Sequence, residues 1–242
     1  FLLPFLFFLI KGWIQRPLIP KLLAMFVLGG LQGVLGWYMV KSGLVDNPHV
    51  SKYRLTAHLG LAILIYAYMF YVALGLWFGG RLSGTTPAGL RRATTLVTGL
   101  VFITILSGGF VAGLKAGFAY NTFPLMDGHW IPEVIFMQDP LWRNFFENIA
   151  TVQFQHRLLA MLVSLSVILL WLAARRVTLP AVVTTGLLLM LAAVVLQVSL
   201  GISTLLLHVP VALAATHQAG ALLLFTIVLY TRYRMTRTTE SS

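Results

Sequence analysis

The chain has 242 residues, of which 59% are hydrophobic and only 10% are charged. Soluble domains carry about 25% charged residues, so this composition excludes an ordinary soluble protein and indicates an integral membrane protein. The absence of cysteine excludes disulfides, thiolate metal sites and iron–sulfur clusters.

The apolar segments predict helical spans, because about 20 apolar residues cross the hydrocarbon layer as a helix. The opening segment FLLPFLFFLI is too short for this and lacks the basic start of a signal peptide. We expect it to be the end of a helix that begins upstream, in an N-terminally truncated chain. Six segments are long enough, at approximately 21–41, 53–78, 92–114, 149–173, 180–206 and 211–231. The alternation of a membrane β-barrel is absent, so the prediction is an all-α integral membrane protein.

The basic residues indicate how these spans are oriented. The chain has 17 basic and 6 acidic residues and a net charge of +11. Most of the basic residues lie in alternate connections, which by the positive-inside rule face the cytoplasm or matrix. These are Lys11, Arg16, Lys21, Arg81, Arg91, Arg92, Arg175, Arg176, Arg232, Arg234 and Arg237. We therefore attribute the charge to topology and expect no nucleic-acid partner.

All six histidines then fall on the outer side of the membrane. Those in connections, where a solvated side chain is the ordinary interpretation, are His49, His129 and His208. The other three lie inside helices that enter from the outer face, at similar depth; they are His58, His156 and His217. Ionisable side chains within a span are costly and mark functional sites. A hydrogen bond to a neighbouring helix is the alternative for any one of them.

Two parts of the chain resemble each other. LQGVLG at 31–36 and LQVSLG at 196–201 are each followed by an outer connection and a histidine helix. The aligned pairs are Gln32 with Gln197, Gly36 with Gly201, and His58 with His217. Their shared orientation indicates a duplicated helical unit, although chance similarity in apolar sequence is the alternative.

The duplication predicts a further histidine, about ten residues upstream of Phe1, as the counterpart of His156. The full-length protein would then have two pseudo-symmetric four-helix bundles and eight spans, of which six and part of a seventh are present here. Residues 1–80 would be the remainder of the N-terminal half. Residues 81–242 would form the C-terminal half, with a long outer loop at 115–148.

Two imidazoles at matched depth suit axial ligation of a heme iron, which helical bundles often house. Zinc usually takes three or four protein ligands, and a proton relay needs Asp or Glu, but the spans contain neither carboxylates nor cysteine. We therefore assign His58, His156 and His217 as candidate axial ligands of heme iron. Arg157 and Arg54, which adjoin His156 and His58, are candidates for heme propionates, with snorkelling to the interface as the alternative.

The outer loop 115–148 is rich in aromatic residues and turn signals. It suits a segment that lies in the membrane interface and covers a heme edge or a substrate entrance. A purely structural interfacial loop is equally compatible with its composition.

Several stretches resemble heme A synthases, particularly those of the alphaproteobacterial and mitochondrial branch. They are LQGVLGWYMVKSGL, YRLTAHL, VAGLKAGFAYNTFPLMDG, NFFENIATVQFQHRLLA and THQAGALLLF. The resemblance covers nearly the whole chain and implies eight spans in two halves, each with a histidine pair. It implies that His156 and His217 ligate a heme b cofactor. It implies that His58 and a residue upstream of Phe1 lie at the site of the substrate, heme O.

The resemblance also implies an activity, the oxidation of the C8 methyl group of heme O to a formyl group with water as the oxygen source. The product is heme A for cytochrome c oxidase. A glutamate of the family, one turn before the first-half histidine, falls upstream of Phe1, so we expect this chain alone to be an incomplete enzyme. The outer cysteine pair of some family members is absent.

The implied location is the bacterial inner membrane, with the mitochondrial inner membrane as the alternative. Candidate partners besides the bilayer and heme O are heme O synthase and a second copy of the protein. The alternative function is a non-enzymatic bis-histidine diheme cytochrome b in quinol-linked electron transfer. A scaffold whose histidines only tie helices together is a third hypothesis.

Overall fold

The computed structural model describes residues 1–41, 50–80 and 82–238. Within these ranges the fold contains eight α-helices and no β-strand, which confirms the all-α prediction. Six of the helices are long and apolar enough to cross a membrane, as the sequence predicted. His49 and Arg81 lie outside the described residues.

The helices are α1 (Leu2–Ile10), α2 (Ile19–Lys41), α3 (Lys52–Trp77), α4 (Ala88–Gly113), α5 (Asn144–Glu147), α6 (Ile149–Ala174), α7 (Ala181–Leu206) and α8 (Val211–Thr236). Short 3-10 turns lie at Arg16–Leu18, Ala116–Phe118 and Leu141–Arg143. The helices α4 and α8 extend several residues beyond their predicted apolar segments. The extensions contain arginines, which are good helix formers but are strongly polar. The apolar segment is therefore shorter than the helix that contains it.

Simple local signals start the long helices. Proline stands at the N-cap of α4, α7 and α8, as Pro87, Pro180 and Pro210. Helix α6 instead begins with Asn148, whose side-chain oxygen accepts from the backbone N–H groups of Ala150 and Thr151 at 2.9 and 3.2 Å. Such an N-cap satisfies donors that have no partner inside the helix.

The chain divides into two compact units, Phe1–Phe78 and Gly79–Ser242. The first unit contains α1 to α3, with α2 packed against α3. In the second unit α4 packs against α6, α6 against α7, α7 against α8, and α8 against α4. These four helices therefore form a closed bundle in which α6 and α8 are diagonal neighbours. Whether the two units are a substrate half and a cofactor half stays a prediction.

Packing inside the bundle is uneven along its axis. The ends away from the outer loop are tightly packed around Val167 and Leu170 of α6, Val183 of α7 and Val228 of α8, all buried. Towards the outer end, no residue is fully buried at 154–162 of α6, 195–203 of α7 or 211–223 of α8. The histidines of the C-terminal half lie within this loosely packed layer.

Candidate functional site

His156 and His217 lie at the same level of the four-helix bundle. Each is about two turns from the start of its helix, α6 or α8, so both stand about 10 Å along the helix axis from the outer end. Both side chains are half-buried, and their helices stand at opposite corners of the same four-helix bundle. The structure therefore brings together the two residues assigned from the sequence as one ligand pair.

The imidazole of His156 rests against the adjacent helix α4. Its Nδ1 lies 2.7 Å from Oγ of Ser107, which is buried. The next residue is Gly108, where a Cβ atom would lie 3.4 Å from Cε1 of His156. The hydroxyl of Ser107 and the backbone at Gly108 therefore both contact the ring from the side of α4.

His217 is held in a similar way by helix α7. The side-chain nitrogen Nε2 of Gln197 donates to the backbone carbonyl of His217 at 2.8 Å and lies 3.1 Å from its Nδ1. A Cβ atom on Gly201, one turn further along α7, would lie 2.9 Å from Cε1 of His217. Only glycine leaves room for the ring in its present position.

The first unit contains the same arrangement. Nε2 of Gln32 donates to the backbone carbonyl of His58 at 3.1 Å and lies 3.3 Å from the ring nitrogen Nε2. A Cβ atom on Gly36 would lie 3.0 Å from Cε1 of His58. The residues paired by the sequence repeat therefore make similar contacts within their own units, which favours duplication over chance similarity. The two rings differ in the nitrogen that faces the glutamine, which is Nε2 in His58 and Nδ1 in His217.

The residues around the histidine pair fit a heme better than a metal ion held by protein alone. Among the described residues there is no group of three or more His, Cys, Asp or Glu side chains arranged to hold a metal ion. Two histidines on diagonal helices, bare glycines beside each ring and a loosely packed layer between the helices suit a flat macrocycle with two axial ligands. The buried side-chain carbonyl of Gln197 also has no hydrogen-bond partner.

Arg157, the predicted propionate ligand, contacts the outer loop. Its Nη2 donates to the carbonyl of Tyr120 at 2.9 Å, and its Nη1 donates to the carbonyls of Thr122 and Leu125 at 3.0 and 3.3 Å. The guanidinium is only part-buried, and its Nε is buried without a partner. Arg157 therefore fastens the loop over the histidine layer, and its contact with a propionate stays a prediction.

Arg54, the corresponding residue of the first unit, lies against an aromatic ring. Its Nη2 donates to the hydroxyl of Tyr38 at 3.2 Å, and its guanidinium carbon stands 4.2 Å from the ring centroid. Arg54 lies one turn before His58 on α3, and Tyr38 belongs to α2. The contact fixes Arg54 near the outer end of the helix, and its role towards a substrate propionate also stays a prediction.

The outer loop is anchored on the first two turns of α6. Asn148 donates to the carbonyl of Val134 at 2.6 Å, Thr151 donates to Ile135, and Gln153 donates to Tyr120 at 2.9 Å. These anchoring side chains are buried, whereas many aromatic and aliphatic residues of the loop are exposed, among them Trp130, Phe136 and Trp142. The loop thus closes the outer end of the four-helix bundle and presents an apolar outer surface, as expected for a segment in the membrane interface.

Ser107 and Gly108 were not predicted from the sequence. One pattern in the sequence could have indicated them, a polar residue followed one turn later by a glycine. The pattern occurs as Gln32–Gly36 in α2 and as Gln197–Gly201 in α7. In α4 the same spacing is Thr104–Gly108. The glycine keeps its role against a histidine, but the hydrogen bond to the ring comes from Ser107 instead of the residue one turn earlier.

Comparisons with known proteins show which family the chain resembles. The family model described as COX15-CtaA, cytochrome oxidase assembly protein, matches residues 1–229. The heme A synthase of Nitrosospira multiformis is 57% identical over 98% of this chain and 67% of its own length. The heme A synthase of Nitrosomonas eutropha is 50% identical over 95% of this chain and 65% of its own length.

A more distant relative is the heme A synthase COX15 of Bos taurus, which is 46% identical over 95% of this chain and 58% of its own length. The chain thus spans about two thirds or less of these curated relatives. The match over nearly the whole chain confirms the resemblance found in the sequence. The chain belongs to the COX15-CtaA family of cytochrome oxidase assembly proteins.

Proposed function

We propose that the protein is a heme A synthase, which oxidises the C8 methyl group of heme O to a formyl group and so produces heme A for cytochrome c oxidase. The observation that carries this proposal is the pair His156 and His217, set at one level of a bundle whose outer layer is loosely packed. The names of the relatives support an enzyme over a diheme cytochrome without catalytic activity.

In this proposal His156 and His217 hold a heme b cofactor in the second unit. Heme b supplies reversible one-electron transfer when it is bound. Ser107 and Gln197 orient the two imidazoles, and Gly108 and Gly201 keep the space beside the rings open. The outer loop, fastened by Arg157, limits the access of water to this layer.

The substrate site belongs to the first unit, where His58 is the residue that faces heme O. Gln32 and Gly36 position its ring as Gln197 and Gly201 position His217. Arg54 stands one turn away and is the candidate for a propionate of the substrate. Conversion of the methyl group to a formyl group takes up one water, whose oxygen is retained, and releases four protons and four electrons, and the electrons pass to an acceptor outside this chain.

The proposed location is the inner membrane of a bacterium, with the mitochondrial inner membrane as the alternative, because the protein has six described spans and relatives in bacteria and animals. Heme O is poorly soluble in water, so entry from the bilayer suits a site between membrane helices. Heme O synthase and a second copy of the protein are the candidate protein partners.

The test is to express the full-length protein that carries this chain in cells that make heme O and lack heme A synthase. Extracted pigments should contain heme A, or hydroxylated heme O, in an amount that depends on the protein. If heme b is bound and reducible but neither pigment appears, the diheme cytochrome replaces the enzyme. A purified protein without Soret absorbance would overturn both heme hypotheses and leave the scaffold.

A further inference from the structure

Two hydrogen bonds at Ser107 determine which nitrogen of His156 carries its proton. The hydroxyl of Ser107 has a single hydrogen, and Oγ lies 2.7 Å from the carbonyl oxygen of Thr104, which can only accept. The same Oγ lies 2.7 Å from Nδ1 of His156. Both contacts are satisfied only when Ser107 donates to Thr104 and accepts from Nδ1–H of His156.

This order leaves the other ring nitrogen of His156 with a free lone pair. In a neutral imidazole with a proton on Nδ1, Nε2 is the unprotonated nitrogen. No hydrogen bond from the described residues reaches Nε2 of His156. Ser107 therefore presents His156 in the tautomer that can ligate iron through Nε2.

We infer that Ser107 is a positioning residue for the axial ligand His156, which it holds in one tautomer and makes a stronger electron donor through the Nδ1–H···Oγ bond. This inference rests on the proposed function of the pair.

The experiment compares Ser107→Ala with Ser107→Thr in the full-length protein, and measures heme b content and the midpoint potential of heme b. Loss of the acceptor should weaken heme b binding by about tenfold and raise the potential, because a weaker donor stabilises ferric iron less. Threonine keeps the hydroxyl and should restore both. The matched control is Ser164→Ala, since Ser164 donates only to the carbonyl of Ala160 in its own helix at 2.8 Å.

The outcomes separate this inference from the function on which it rests. If the unaltered protein binds no heme b, the proposed function is wrong. If it binds heme b and Ser107→Ala changes neither affinity nor potential, the role of Ser107 is wrong and the function stands. A potential that shifts equally in Ser164→Ala would also overturn the inference, because a general loss of helix stability would explain it.

A second and independent feature is a basic cleft at the opposite, inner end of the four-helix bundle. It has a volume of about 250 Å³ and lies between the start of α4 and the end of α8. Its lining residues are Ala88, Arg91, Arg92, Thr95, Arg232 and Thr236. Arg232 is held in place by a hydrogen bond from its Nε to the hydroxyl of Thr95. The cleft therefore brings the guanidinium groups of Arg92 and Arg232 together, while the hydroxyl groups of Thr95 and Thr236 donate to carbonyls of their own helices.

The charge around the cleft favours an anion. The carboxylates of the described residues, Asp127, Glu133, Asp139 and Glu147, all lie in the outer loop at the other end of the bundle. The first turn of α4, which starts at Ala88 without a side-chain cap, adds backbone N–H groups with partial positive charge. Planar guanidinium groups and N–H donors together match the oxygens of a phosphate.

The geometry points to a site for the phosphate of an anionic phospholipid headgroup. By the positive-inside rule this end of the bundle faces the cytoplasm or matrix, where anionic headgroups attract basic clusters between helices. The acyl chains of such a lipid would lie along the apolar surfaces of α4 and α8, where Leu96 is exposed. A free inorganic phosphate shares the headgroup chemistry but not these chains.

The test measures the melting temperature of the protein in nanodiscs of phosphatidylglycerol and of phosphatidylcholine. Phosphatidylglycerol should raise it, and the double variant Arg92→Gln/Arg232→Gln should lose that increase. The matched control is Arg175→Gln/Arg176→Gln, which removes two inner-side arginines outside the cleft and should keep the increase. Equal losses in both variants would overturn the site. An equal increase from inorganic phosphate in phosphatidylcholine would overturn the lipid assignment.

Discussion

Gly201 of α7 faces the imidazole of His217 so closely that a methyl group on its α-carbon would lie 2.9 Å from Cε1 of the ring and 3.5 Å from both ring nitrogens. Real Cβ atoms do not approach other heavy atoms this closely, so any larger residue at this position displaces the ring. Gly36 stands in the same relation to His58, at 3.0 Å. A glycine opposite the histidine is therefore part of the site in both units.

We predict that Gly201→Ala lowers the affinity for heme b by about tenfold, because the ring of an axial ligand moves out of position. Reconstitution of the heme-free protein with heme b, followed by the Soret band, measures this affinity. The matched control is Gly99→Ala in α4, where nothing lies within 4 Å of the added methyl group. Similar affinities for the two variants would contradict a steric role for Gly201.

Gln197 ties α7 to α8 through two contacts with His217, at 2.8 Å to the backbone carbonyl and 3.1 Å to Nδ1. Gln197→Leu should lower the free energy of unfolding by about 1 kcal/mol, the usual size of a hydrogen bond between membrane helices. Denaturant titration in detergent micelles checks this. Ser199→Ala is the control, because the hydroxyl of Ser199 bonds only to its own helix. An equal loss in the control would contradict an interhelical role for Gln197.

Arg157 should hold the outer loop in place, because both terminal nitrogens of its guanidinium donate to carbonyls of the loop. We expect Arg157→Lys to expose the loop 115–148 to added protease several-fold faster, because a lysine cannot contact the carbonyls of Tyr120, Thr122 and Leu125 together. The control is Arg143→Lys, since Arg143 stands at the surface and its closest ion pair is 3.9 Å from Glu147. Unchanged cleavage in Arg157→Lys would show that other contacts hold the loop.

Asn148 has two separable functions at the start of α6. Its oxygen caps the helix, and its nitrogen donates to the carbonyl of Val134 in the outer loop at 2.6 Å. Asn148→Ala should lower the free energy of unfolding by about 1 kcal/mol or more. Asn148→Asp keeps the cap but loses the donors to Val134 and to Oδ1 of Asn144, so it should be less destabilised than Asn148→Ala. Equal destabilisation in a thermal melt would contradict the capping role.

Hydropathy alone predicted the spans, because each helix that crosses the hydrocarbon must be apolar along its whole length. It did not predict where the helices end. Arg91 and Arg232 extend α4 and α8 beyond the apolar segments, and together they form part of the inner cleft. The end of a helix is determined by its backbone hydrogen bonds, whereas the end of an apolar segment shows where lipid gives way to water.

The residues of the site that recur in the sequence repeat could be predicted from the sequence. Those outside the repeat could not. Gln32 and Gln197 stand out because each polar side chain recurs before a glycine and a histidine helix. Ser107 lies outside the two repeated stretches, and a serine in an apolar helix usually bonds to its own backbone. Ser107 does so as well, and its second bond, to His156, appears only when α4 packs against α6.

The pairing of His156 with His217 is tested most directly by low-temperature electron paramagnetic resonance of the oxidised full-length protein, purified from cells that make heme b but no heme O. We expect the signal of a low-spin ferric heme with two imidazole ligands. It should disappear in His156→Ala and in His217→Ala, and persist in the control His129→Ala, whose imidazole lies exposed in the outer loop. An unchanged signal in either of the first two variants would contradict the pair.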